Sequence, residues 1–93
     1  MKHFDWDSKK NEQLKRERDI SFEEALIAIE EGGILYIVEH PRKNKYPNQR
    51  IFIVAISSYA YLVPYVEDEE KVFLKTIIPS RKATKIYIVK KDI

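Results

Sequence analysis

Four β-forming runs joined by short links constrain this chain more than anything else in it. After Gly32-Gly33 come Ile34 to His40, Arg50 to Ile56, Tyr59 to Val66 and Lys71 to Ile78. A parallel pairing needs a crossover of a dozen or more residues, and none of these links is that long, so consecutive runs pair antiparallel as a meander. Arg50 to Ile56 is apolar on both faces and reads as a central strand. Pro64 has no N–H for a ladder, which predicts a bulge or an edge position inside the third run. The link Pro41 to Gln49 is long for a hairpin and offers no apolar packing residue except the ring of Tyr46.

Helices flank the meander. His3 to Trp6 alternates, with Phe4 and Trp6 on one side and Asp5 on the other, and reads as a short strand against the core. Asp7 or Ser8 caps a helix over residues 9–18, whose one clear apolar contact is Leu14; this element is the freest to face a ligand or partner. Ser21-Phe22-Glu23-Glu24 is a capping box, so a second helix starts at Phe22. Phe22, Ala25, Leu26 and Ile29 form its apolar stripe, and Gly32-Gly33 ends it. From Ser80 to Val89 the preferred reading is a short helix with Ala83, Ile86 and Tyr87 inward, while a strand over Lys85 to Val89 fits the same residues. The expected fold is α+β: a short N-terminal strand, two helices, an antiparallel meander of about four strands and a short basic C-terminal helix. Residues 1–93 form a single domain, since a chain of this length supports one core.

Composition narrows the chemistry. A content of 44% hydrophobic and 34% charged residues fits a folded domain and argues against disorder. With no cysteine and only His3 and His40, a thiolate zinc site, a disulfide framework and a Cys nucleophile are excluded; neither a metal nor a cofactor is expected. No apolar run approaches the roughly 18 residues of a membrane span, and MKHFDWDSKK lacks a secretory apolar region, so a cytoplasmic location without membrane contact is expected. Gly-rich phosphate loops, HExxH and nucleophile elbows are missing. The chemistry left open to a small basic domain is cleavage of RNA without metal, in which the 2′-hydroxyl attacks the adjacent phosphorus. That reaction asks for a base, an acid and cations on the developing charge.

The net charge of +2 hides an uneven distribution. Residues 42–50 and 71–93 hold eleven Lys and Arg against Asp92 alone, whereas acids gather at Asp19 to Glu31 and Glu67 to Glu70, which predicts a basic face opposite acidic ones. The candidate site is the run Phe73 to Thr84, where a strand reaches Pro79 and hands over to a basic segment capped by Ser80. Arg50 and Arg81 each open an element, and antiparallel order can bring them toward one edge as a phosphate clamp; pairing with an acid such as Glu39 is the competing reading. Lys10 offers a further cation or base, or only a solvated helix lysine. His40 is of the residue type suited to proton transfer, or only faces water beside Pro41. Trp6, Tyr46, Tyr59 and Tyr61 are candidates for base stacking, with core packing the stronger reading for Trp6.

Taken in order, Phe4-Asp5-Trp6-Asp7 followed by Lys10, then Ile20-Ser21-Phe22-Glu23-Glu24-Ala25, a β-meander, and Ser80-Arg81-Lys82-Ala83-Thr84 resemble the BrnT-type toxins of bacterial type II toxin-antitoxin systems. The likeness spans nearly the whole chain. It implies a RelE-like ribonuclease that inhibits translation until a cognate antitoxin, typically of ribbon-helix-helix type, covers it; operator DNA is reached only through that antitoxin. It further implies Lys10, Arg50 and Arg81 as catalytic or basic positions. Arg18, Lys75, Lys82, Lys45 and Tyr46 are the accompanying RNA- or phosphate-binding candidates, and His40 the candidate for proton transfer. Where family members carry Lys-His-Gly at the end of the first helix, this chain has Glu17-Arg18-Asp19, and Thr76 stands at the first Arg of the terminal motif. Arg18 holds its proton at neutral pH and is no base.

Overall fold

The meander forms as the spacing predicts. In the computed structural model, which describes residues 2–89, strands β2 (Ile34–Glu39), β3 (Gln49–Ile56), β4 (Tyr59–Glu67) and β5 (Lys71–Leu74) pair antiparallel in chain order. A two-residue turn joins β3 to β4, with Ile56 opposite Tyr59, and both turn residues have positive φ, 52° at Ser57 and 66° at Ser58. That is the turn geometry whose twist matches a hairpin. The N-terminal strand β1 (His3–Asp5) pairs parallel with β5, Phe4 opposite Val72, and completes the order β1-β5-β4-β3-β2.

Pro64 splits the last run. Its carbonyl accepts the Lys75 N–H at 2.8 Å, but it has no N–H to return. Pairing stops after Leu74 opposite Tyr65 and resumes in β6 (Ile78–Pro79) with Ile78 opposite Leu62. Three steps on β4 therefore face four on the other side, which is a bulge.

Helices cover both sheet faces. On one lie α1 (Ser8–Arg18) and α2 (Phe22–Glu30), closing a core in which Phe22, Val54, Val63, Leu74 and Ile77 have no exposure left. Each such side chain contributes roughly 1.5–3 kcal/mol by leaving water. Asp7 caps α1, accepting from the Lys9 N–H at 3.0 Å, and the Ser21–Glu24 capping box of α2 is complete. The turn after α2 needs its glycines: Gly32 has φ 87°, and a Cβ on Gly33 would stand 2.8 Å from the Ala28 carbonyl oxygen.

On the other face α3 (Arg81–Tyr87) packs Ala83, Tyr87 and Ile88 against Ile53, Ala60, Leu35 and Leu62. The tail is helical because Thr84 anchors it: its hydroxyl accepts the Ala60 N–H at 2.9 Å and donates to the Ser80 carbonyl at 2.8 Å. Ile86, expected inward, is 54% exposed. The inward stripe runs from buried Ala83 and Thr84 to half-buried Tyr87 and Ile88, which turns Ile86 to the opposite side.

The first helix is better anchored than Leu14 alone allows. Asn11 is buried, its Oδ1 accepts the Phe22 N–H at 2.8 Å, and its Nδ2 donates to Glu23 at 2.8 Å. These two bonds lock α1 to the start of α2. The Glu23 carboxyl sits below the usual carboxylate range chiefly because Asn11 donates to it.

Candidate nucleic-acid interface

The junction Phe73 to Thr84 wraps the end of β4 and meets the last turn of α1. Arg18 donates from its guanidinium to the Ile77 carbonyl at 2.6 Å. That carbonyl lies at the bulge made by Pro64, where no neighbouring strand takes it. Asp19 ends α1 in the left-handed region, φ 54°, which aims Arg18 back at the bulge. From Ile77 the chain needs four residues to reach Arg81, at most about 14 Å of backbone. Lys75 lies two residues before Ile77, with its ammonium 5.9 Å from the Phe73 ring centre. Arg81 and Lys82 are exposed in the first turn of α3, whose Ser80 cap accepts the Ala83 N–H at 3.1 Å. Arg18, Lys75, Arg81 and Lys82 thus lie along the run from the end of β5 to the start of α3, with Lys75 held opposite Pro64, four residues of β4 or about 13 Å from the Ala60 that fixes Ser80.

Arg50 does not join them. It stands opposite Tyr65 on β4, whereas the start of α3 is fixed to Ala60 through the Ser80 N–H at 3.0 Å. Five strand residues, about 17 Å, separate the two positions, so the expected clamp of Arg50 with Arg81 is not formed. The reason is register: β3 enters the sheet at the end where β4 leaves it. Arg50 sits instead beside Tyr65, whose hydroxyl burial pushes up while the contact with Arg50 opposes that shift. Glu39, the acid expected to hold an arginine, pairs with Lys43 at 3.0 Å.

His40, Lys45 and Tyr46 lie at the Arg50 end. The His40 and Tyr46 rings are 4.5 Å apart, the Lys45 ammonium is 5.8 Å from the Tyr46 ring centre, and His40 Nδ1 accepts the Arg42 N–H at 3.0 Å. The long link is therefore organised on an aromatic pair. Lys10 is half-buried on α1 beside Asn11, eight residues or about 12 Å along the helix from Arg18. Tyr59 and Tyr61 meet edge to face at 5.7 Å next to Pro79, while Trp6 stacks on Phe22 at 5.5 Å in the core.

Charge is not divided into opposed faces. The acidic turn Glu67 to Glu70 adjoins the basic link, and Lys2, Arg50, Glu67, Asp68 and Glu69 line one cleft with Pro47 and Asn48. Lys2 binds Glu67 at 2.6 Å and Lys71 faces Asp5 at 3.8 Å. Asp68 is held below the usual carboxylate range by the N–H groups of Lys71 and Glu70, which it accepts. At the junction the balance differs: among the described residues no carboxylate lies within 4.0 Å of Arg18, Lys75, Arg81 or Lys82. Lys90, Lys91 and Asp92 lie outside the described residues. Also among the described residues, no three His, Asp or Glu side chains converge and no helix is long and apolar enough to cross a membrane.

Sequence reasoning missed Asn11, which reads as one polar residue among many in a polar helix, and foresaw the bulge at Pro64 without its consequence; only pairing shows that the first holds α1 and the second frees the Ile77 carbonyl for Arg18. No family model, curated protein or solved structure matches the chain.

Proposed function

We propose that the chain is a BrnT-type toxin, a metal-independent endoribonuclease that acts in the cytoplasm to inhibit translation and is neutralised by a cognate ribbon-helix-helix antitoxin. The observation that carries the reading is the set of four cations along the junction, Arg18, Lys75, Arg81 and Lys82, with no carboxylate within 4.0 Å of them among the described residues and with Arg18 seated on the Ile77 carbonyl. Exposed guanidinium and ammonium groups spread over a few nucleotides' length suit a single-stranded phosphate backbone. In this reading Arg81 and Lys82 hold the reacting phosphate and stabilise its developing charge, Arg18 and Lys75 hold its neighbours, and Lys10 assists from α1. Operator DNA is bound only through the antitoxin.

A second reading, a protein- or RNA-binding module without catalysis, is favoured by one observation: His40, the candidate for proton transfer, stacks on Tyr46 at the Arg50 end, and Arg18 stands where members of the resembled family carry a histidine. Expression from a tight inducible promoter, wild type beside Arg81→Ala, separates the two. Growth arrest with RNA decay in the wild type, lost in Arg81→Ala, is the expected outcome. Normal growth with intact RNA, together with retention of RNA by the purified protein, would leave the binding module.

A further inference from the structure

The sheet ends in β2, whose outer edge has no strand beside it among the described residues. His40 donates its N–H to Gln49 at 3.2 Å, which fixes the alternation along β2: Val38 and Tyr36 turn their backbone groups to β3, and Ile37 and Glu39 turn theirs outward. The shift of register between Ile34 and Tyr36 is a bulge, and Pro41 follows the strand. Between them this edge carries no Pro, no Lys and no inward charge, the usual devices that keep edges from pairing. Its side chains are apolar and exposed on both faces, Tyr36 at 56% and Ile37 at 45%, and Ile86 of α3, adjacent to the Tyr87 that stacks on Tyr36, adds 54%. Unpaired backbone groups and exposed apolar side chains in one strip mark an interface.

We propose that β2 pairs antiparallel with β2 of a second copy of this chain, about a twofold axis at Val38. The register follows from the strand itself. Placing Val38 opposite Val38 of the second copy sets Ile37 opposite the second copy's Glu39 and the reverse. All four outward N–H and C=O pairs between the bulge and Pro41 are then used. A twofold at Ile37 would instead set Glu39 opposite the bulged Leu35 and lose half of these bonds. On the α3 face the Val38 register puts Tyr36 opposite His40 of the second copy, whose ring already stacks on the half-exposed Tyr46. Two aromatic pairs, Tyr36 with Tyr87 and His40 with Tyr46, thereby meet across the seam. The single acid on the strip, Glu39, is balanced by Lys43 at 3.0 Å, so charge does not oppose the pairing. The two sheets become one, and the junction at the opposite edge stays open.

Sedimentation equilibrium over a range of concentrations, on the wild type, Ile37→Glu and Ile37→Lys, tests both the pairing and the register. In the Val38 register residue 37 faces a carboxylate of the second copy. Ile37→Glu should therefore weaken the dimer by about tenfold or more and Ile37→Lys should hold or tighten it. Concentration-dependent protection of the Ile37 and Glu39 amides from hydrogen exchange in the wild type is the second measurement, independent of whether a variant folds. A wild type that stays at 11.1 kDa at every concentration would overturn the proposal. So would a dimer weakened equally by both substitutions, a dimer moved by neither, or amides whose exchange ignores concentration. Pairing of β2 only with a strand of another protein would overturn it as well.

Discussion

Asp19 is the residue at which a single backbone angle sets a neighbour's role. Its φ of 54° closes α1, and the turn it makes aims Arg18 at the Ile77 carbonyl. A left-handed non-glycine residue is strained, and a carboxylate at a helix C-terminus meets the negative end of the dipole. Asp19→Gly should therefore stabilise the fold by roughly 0.5–1 kcal/mol in urea unfolding without moving Arg18. Asn11→Ala acts in the other direction, because the Phe22 N–H it satisfies is buried; a loss of about 1–3 kcal/mol is expected. The Asn11 amide also depresses the pKa of Glu23. A carboxyl whose folded pKa lies below its unfolded value adds stability above the unfolded pKa and loses it as pH falls through the folded one. The wild type should lose stability faster than Glu23→Gln on acidification below the ordinary carboxylate range, read from urea midpoints across pH.

At the scale of elements, the hairpin between β3 and β4 shows a turn type met by imperfect residues. Ser57 and Ser58 both hold positive φ, a conformation that Asn-Gly adopts more readily. Replacing the pair by Asn-Gly should raise stability by about 1 kcal/mol, measured by thermal unfolding, because strain leaves the turn and the register of β3 with β4 is unchanged. Period and caps located most elements in the sequence: the Ser21 box, the Gly32-Gly33 stop, the Ser80 cap and the first three runs of β-formers stand where spacing and alternation placed them. The sequence reading failed where one residue's partner is remote. Ile86 suits an inward position by period, but Thr84 bonds to Ala60 and rotates the helix so that Ile86 is exposed. The run from Lys71 to Ile78 reads as one strand, yet the missing N–H of Pro64 breaks it.

For the whole molecule, the proposed RNA contact has a salt signature. If Arg18, Lys75, Arg81 and Lys82 each neutralise a phosphate, the slope of log K against log salt for a single strand should be about −3, and each substitution to Ala should reduce its size by about 0.7. Filter binding across a salt series reads this directly; a slope unmoved by Arg81→Ala would place the contact elsewhere. The same scale separates what each level of description decides. The order of strands and helices, the α+β class, the meander and the helix caps were determined by the sequence, because they depend on spacing, periodicity and residues within a few positions of one another. The site was not, although its members were visible as cations: Arg50 and Arg81 are each plausible on the page, and only the register, which counts five residues of β4 between them, sets them about 17 Å apart. The tertiary structure likewise decided the parallel seat of β1, the burial of Asn11, the mixing of the acidic turn with the basic link, and the union of Arg18 with the bulge at Ile77. Each rests on contacts between residues far apart in the chain, which local spacing does not encode.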